Sequence, residues 1–155
     1  MAKSNKEEKY VMHAEVGNHC PVSSSINNMC KIKEKVKAWG SEFHLHNDNK
    51  YCAKAMVVVP GGKCSVHFHK KKTETFILAE GKLIVEIVDM HTGEACKYYL
   101  KVPGDSITIH PETPHTFYVP EGQLTPSWFV ESSTQDFDDD SYRLTQSTGP
   151  ATRSW

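Results

Sequence analysis

The sequence predicts one all-β domain, a sandwich or barrel, and three observations carry that expectation. Short runs of β-branched and aromatic residues recur about every 8–12 residues from Ile32 onward. Gly, Pro, Asn and Asp punctuate each run, as turns between strands require. The length, 155 residues, suits a single domain able to bury one core.

Residues 1–31 are polar and weakly periodic, and are expected to form an N-terminal arm holding at most one short strand or helical turn. The barrel is expected over residues 32–144. Its runs begin with SEFHLH, closed by the turn residues Asn47-Asp48-Asn49, and YCAKAMVVV, closed by Pro60-Gly61-Gly62. KCSVHFH, TETFILA, KLIVEIV, KYYLKV, DSITIH, HTFYV and PSWFVES follow, roughly nine candidate strands in all. Residues 145–155 are expected to be a frayed C-terminal tail, with Tyr142, Arg143 and Leu144 able to pack. No internal repeat or linker divides the chain.

Composition removes several classes of function. Eighteen Lys and Arg against nineteen Asp and Glu give a formal net charge of -1, so no basic field invites nucleic acid. No apolar run reaches the ~18–20 residues of a membrane span, and the opening MAKSNKEEK lacks a signal-peptide core. Cys20, Cys30, Cys52, Cys64 and Cys96 are odd in number and form no C-x-x-C pair, so reduced thiols in a cytoplasmic protein are expected. Nine histidines remain as the unusual feature.

Their placement matters most in the stretch from Gly61 to Glu74. Alternate side chains of a strand share a face, so His67 and His69 point one way and Phe68 the other. Lys70, Lys71 and Lys72 read as a solvated tight turn, after which Glu74 returns opposite the two histidines. Two imidazoles and a carboxylate suit a divalent transition metal, and His115, opening a later strand, is the candidate fourth ligand. Manganese, iron, zinc, nickel and cobalt all fit such donors.

The same stretch resembles the first motif of the cupin superfamily, G-x5-H-x-H-x4-E-x6-G, with Gly61, His67, His69, Glu74 and Gly81 in place. The second motif, G-x5-P-x-G-x2-H-x3-N, is met at Gly104 and His115, while His110, Glu112 and Val119 replace its Pro, Gly and Asn. The resemblance implies a cupin jelly-roll barrel, and the departures predict an altered turn before His115. Across residues 37–144 a narrower likeness appears. Tyr51-Cys52-x-Lys54, Glu74-Thr75-Phe76 and Glu131-Ser132-Ser133-Thr134 resemble the small metal-dependent sugar isomerases of the D-lyxose isomerase type. Trp39-Gly40-Ser41-Glu42 and Asp139-Asp140-Ser141-Tyr142-Arg143 are similar to the cupin domain of type II mannose-6-phosphate isomerases, here without a nucleotidyltransferase domain. Both likenesses imply aldose–ketose isomerisation of a sugar or sugar phosphate through a metal-stabilised cis-enediol.

That chemistry needs a base and a charge stabiliser beside the metal. Ser127, Phe129 and Glu131 share one strand face, as do Cys52, Lys54 and Met56. Glu131 is the candidate base and Lys54 the candidate stabiliser or proton donor; a structural pair between them, or solvent exposure, is the alternative. His44 and His46 read as a polar strand face or substrate contact, His110 as exterior, Cys64 as buried packing, and Asp136 to Asp140 as a solvated acidic loop. Phe76, Phe117, Trp128 and Phe129 read as core or pocket wall. A metal-dependent dioxygenase and a non-catalytic sugar-binding cupin are the competing functions. A homodimer is expected, because exposed sheet edges invite pairing.

Overall fold

A computed structural model describes residues 10–11 and 32–150. Among them are twelve strands and no helix: β1 (Tyr10–Val11), β2 (Ile32–Lys37), β3 (Gly40–Asn47), β4 (Cys52–Val58), β5 (His67–Phe68), β6 (Glu74–Glu80), β7 (Leu83–Val88), β8 (Ala95–Leu100), β9 (Ser106–Ile109), β10 (His115–Tyr118), β11 (Ser127–Ser133) and β12 (Tyr142–Arg143). All pair antiparallel, in a seven-stranded sheet ordered β1-β2-β3-β4-β11-β6-β9 and a five-stranded sheet ordered β12-β5-β10-β7-β8. This is the all-β architecture that the recurring runs predict, in the jelly-roll form that the cupin resemblance implies.

Alternation builds the interior. Along β4, β11 and the first five residues of β6 every second residue is buried, because a pleated strand sends successive side chains to opposite faces. The core between the sheets holds Met56, Val58, Leu78, Leu83, Val85, Leu100 and an aromatic group. In that group Phe76 lies 5.0 Å from Phe129 and 5.7 Å from Phe117, ring centre to ring centre, and Trp39 meets Phe117 edge-on at 5.1 Å. Each such side chain stabilises the fold by roughly 1.5–3 kcal/mol through burial. Trp128 departs from the expectation: next to Phe129 on β11 it must face the other way, and it is 42% exposed.

The strand set also differs from the nine runs. Ile32–Lys37 folds back on β3 as a hairpin, and Tyr142–Arg143 forms a short strand against β5. KCSVHFH shortens to His67–Phe68, because residues 61–66 bond irregularly to Val119, Phe117, Thr145 and Thr148. Those bonds also hold residues 144–148 along the barrel, where a frayed tail was expected. The arm over residues 1–31, Tyr10 and Val11 apart, and residues 151–155 lie outside the described residues.

Three motif glycines explain their own presence. Gly61, Gly81 and Gly104 have φ of 80°, 81° and 95°, the left-handed region that only glycine enters freely. A Cβ on Gly81 would stand 2.4 Å from Ser127 Oγ. These turns lie before β5, between β6 and β7, and before β9, and so bracket the strands that carry the histidines and Glu74.

Candidate metal centre

His67 ends up on β5 and His69 one residue beyond it, while Glu74 opens β6 and His115 opens β10, with His115 and His67 directly across from each other. All four are buried, and one ligand atom from each lies within 4.8 Å of the others. The structure therefore brings together the four residues that the spacing singles out.

Their hydrogen bonds decide what this cluster can hold. His67 Nδ1 lies 2.8 Å from Ser65 O, His69 Nδ1 2.5 Å from Asp140 O, and His115 Nδ1 2.8 Å from Thr113 O. A carbonyl only accepts, so each Nδ1 carries the proton and each Nε2 keeps a bare lone pair. His69 Nε2, His115 Nε2 and Glu74 Oε1 are fully buried with no hydrogen-bond donor. His115 Nε2 stands 2.7 Å and His69 Nε2 3.7 Å from that same oxygen. Acceptors converging this closely without a donor repel one another unless a cation lies between them. Burial, reinforced by the neighbouring His115 ring, pushes His67 down to about 3. Burial and the Lys72 ammonium likewise hold His69 below its ordinary value. Both rings are thus neutral at neutral pH, the form that binds metal. The residues present fit a divalent ion.

Beside this cluster lies a charged group that strand parity predicts only in part. Glu131 and Lys54 are register partners on β11 and β4, both buried and 3.7 Å apart, so the inward orientation and the structural pairing weighed for them hold together. Lys72 was read as part of a solvated turn. It is instead 4% exposed, with Nζ 2.9 Å from both Glu74 Oε2 and Glu131 Oε1 and 3.3 Å from Asp136 Oδ1. Lys72 lies two residues before Glu74 and so shares its parity, but the run of three lysines masks that signal. Asp136 is half-buried, 2.8 Å from Lys54 Nζ, and Asp140 is buried, so the acidic loop is not simply solvated.

Two ammonium groups thus face three carboxylates. Burial works to discharge Lys72, and Glu131, Glu74 and Asp136 outweigh it and hold its pKa above the ordinary value. Lys54 is raised likewise, with Glu131 the leading opposing charge to burial. For Asp136, Lys54 and Lys72 override burial and keep the carboxyl low. Both lysines stay charged at neutral pH, which suits a fixed stabilising charge and not a proton donor.

The cluster opens on a cavity of about 1590 Å³ whose lining includes Lys54, His67, His69, Lys72, Glu74 and Glu131. The remaining candidates fall outside the metal cluster. A bulge between His44 and His46 pairs His44 with inward Lys54 and His46 with outward Ala53, so the two rings do not share a face as alternation expected. His44 binds Glu42 at 2.6 Å, and His46 stacks on Tyr51. His110 is exposed, and Cys64 is buried in the core.

Residues 55–128 match the family model described as the cupin domain. The match covers just under half of the chain, and the fold is that of the cupin jelly roll. Capsular polysaccharide assembling protein CapF from Staphylococcus aureus is similar over 74% of this chain and 34% of its own, with TM-score 0.66 and 19% identity. Oxalate decarboxylase from Bacillus subtilis is similar over 72% of this chain and 29% of its own, with TM-score 0.61 and 18% identity. This chain therefore spans about a third of either protein. L-ribose isomerase from Cellulomonas parahominis is similar over 72% of this chain and 75% of its own, with TM-score 0.61 and 17% identity. At these identities the likeness is one of fold. No curated protein matches the sequence.

Proposed function

We propose that this protein is a metal-dependent sugar isomerase that interconverts an aldose and a ketose through a cis-enediol. The observation that carries the reading is the convergence of buried, donor-free atoms of His69, His115 and Glu74, completed by His67, beside the Lys54–Lys72–Glu131 group. His67, His69, Glu74 and His115 would hold one divalent ion: manganese, iron, zinc, nickel or cobalt. When bound, such an ion supplies Lewis acidity to the two vicinal oxygens of the sugar.

The chain's own residues do the rest. Contacts from Lys72, Lys54 and Ser133 all fall on Glu131 Oε1, at 2.9, 3.7 and 3.4 Å. Oε2 is therefore the oxygen presented for proton transfer between C2 and C1. Lys72 and Lys54 fix the carboxylate's orientation and offset negative charge developing on the sugar oxygens. Asp136 holds Lys54 in place. The cavity exceeds the usual volume of a small-molecule site, which is ~300–1,000 Å³. The fold neighbour similar over 75% of its own length is named an L-ribose isomerase.

Metal analysis of the purified protein and anaerobic turnover on pentoses and hexose phosphates test this. Wild type should hold one equivalent of metal and isomerise a member of the panel. Glu131→Gln keeps the shape and removes the base, so it should lose about 10²–10⁴-fold in rate while keeping metal. His115→Ala should lose metal and activity together. Oxygen consumption with a thiol or diketone would replace the reading with a dioxygenase, and sugar binding without turnover with a non-catalytic cupin.

Within the same reading the enzyme is a cytoplasmic homodimer. The described cysteines Cys52, Cys64 and Cys96 are unpaired, in keeping with a reducing compartment. No helix among the described residues is long and apolar enough to cross a membrane. The outer face of the larger sheet is uncharged across its centre and suits a second copy.

A further inference from the structure

Asp140 lies in the segment between β11 and β12, far from the motif residues in sequence, and it is 3% exposed. Its side chain gathers the turn that separates His69 from Glu74. Oδ1 accepts the backbone N–H of Lys70 at 2.9 Å, and Oδ2 accepts those of Lys71 and Lys72 at 3.1 and 3.2 Å. Three successive N–H groups converging on one anion form a backbone nest, here filled by a carboxylate of the chain itself. The carbonyl of the same residue accepts Nδ1–H of His69. One residue therefore touches a candidate metal ligand directly and fixes the backbone from which Lys72 reaches Glu74 and Glu131.

Its own position is held from several sides. Asp140 N–H donates to Phe137 O at 3.1 Å. Just beyond it, Tyr142 and Arg143 pair with Phe68 and His67. Upstream, Asp136 and Asn47 exchange two bonds of 2.9 Å, and Thr134 bonds Thr73 through both backbone and hydroxyl. The segment from Thr134 to Arg143 is thus fastened to β3, to the start of β6 and to β5, with Asp140 at its innermost point.

We propose that Asp140 is the positioning residue of the metal centre: its carbonyl sets the tautomer and tilt of His69, and its carboxylate sets the turn that aims Lys72 at Glu74 and Glu131. The proposal rests on the metal reading above. A loop that merely closed the barrel would need its hydrogen bonds satisfied, but not on the turn between two ligands and on a ligand's ring at once. Outer-shell partners of metal-bound histidines typically govern affinity by 10–100-fold.

Cobalt(II) titration of the full chain, followed through its visible ligand-field bands, tests the assignment without any turnover. Wild type should bind one cobalt. Asp140→Ala keeps the backbone carbonyl but removes the carboxylate that ties it to the turn, so the carbonyl on His69 and the backbone of Lys72 lose their anchor. The dissociation constant should rise about 10–100-fold and the band pattern change. Asp140→Asn keeps one acceptor oxygen and the side-chain volume, so it should fall between the two; it also supplies the answer if the alanine variant does not fold. Val85→Ala, a cavity in the core on β7, which carries none of the four ligands, should lower thermal stability but leave cobalt affinity and bands as in wild type. Cobalt binding by both Asp140 variants within twofold of wild type, with unchanged bands, would overturn the proposal. So would an equal loss in Val85→Ala. Failure of wild type itself to bind cobalt would remove the metal reading on which the proposal stands.

Discussion

Glu112 adopts a left-handed backbone, φ 61°, where the cupin motif places glycine. The departures from the motif predict an altered turn before His115; in this turn the backbone is left-handed at Glu112, whose N–H bonds His69 O at 2.6 Å. An L-residue there costs roughly 1–2 kcal/mol, partly offset because glycine is freer in the unfolded chain. Glu112→Gly should therefore stabilise the protein by about 0.5–1 kcal/mol in a urea midpoint, with metal content unchanged. A loss of stability would mean that the exposed Glu112 side chain makes a compensating contact. Glu42 is a second residue with a measurable signature. Burial would raise its carboxyl, but the bond to His44 and the charges of Lys37 and Lys54 outweigh this and bring it from 4.5 to about 2. A depressed carboxyl contributes stability above its unfolded value, and that contribution disappears as pH falls from about 4.5 through about 2. The shift corresponds to a few kcal/mol at most, on the order of 1.4 kcal/mol per unit. Urea unfolding between pH 6 and pH 2 should show a shallower acid decline for Glu42→Gln; parallel curves would show that Glu42 is not coupled to folding.

At the scale of elements, the turn between β5 and β6 concentrates both what the residues disclosed and what they concealed. His67, His69 and Glu74 were legible because strand parity alone puts them on one face, and His115 because a turn places it at the start of a strand. Glu131 and Lys54 were legible by the same rule on β11 and β4. Lys72 was not, since a run of three lysines ordinarily reads as solvent-facing, and only tertiary structure surrounds the third with Glu74, Glu131 and Asp136. Asp140 was illegible for a related reason: its partners lie 68 to 71 residues away. The bulge that separates His44 from His46 also left no mark in the pattern, because one extra residue resets parity without changing composition. Lys72 accordingly makes the clearest test at this scale. Lys72→Met removes one ammonium from a buried group that already has more carboxylates than lysines, and stranding a buried charge typically costs ~3–5 kcal/mol. The metal-free variant should melt well below metal-free wild type, and saturating divalent metal should narrow the gap by returning positive charge beside Glu74. An equal gap with and without metal would separate Lys72 from the metal cluster.

For the whole molecule, the two faces of the larger sheet divide the work. The inner face carries Glu74, Lys54, Glu131 and the aromatic core. The outer face runs Phe43, Ala55, Val130 and Ile77 across four strands in register, with Ser41, Val57 and Trp128 in the next row. Glu80 pairs with Trp128 and continues the second row on β6, and Glu34 pairs with Phe43 on β2, so charges stand at the ends of the rows and the stretch between them is uncharged. Trp128 stacks on Phe43 at 6.2 Å and remains 42% exposed, and Ile77 is 37% exposed. An antiparallel sheet with one solvated face ordinarily alternates apolar inside with polar outside, so an apolar outer face marks a surface that another layer covers. A second copy meets the requirement directly: a two-fold axis sets the uncharged stretches of these rows against each other, with an exposed aromatic among them and Glu34 and Glu80 at the row ends. Sedimentation of the wild type should therefore give the mass of a dimer. Trp128→Glu places a carboxylate at the middle of the interface, opposite its own symmetry mate, and should shift the protein to monomer. Because Trp128 points away from the cavity, the monomer should keep its metal. A wild type that sediments as a monomer at micromolar concentration, or a Trp128→Glu variant that stays dimeric, would assign this face to something other than self-association.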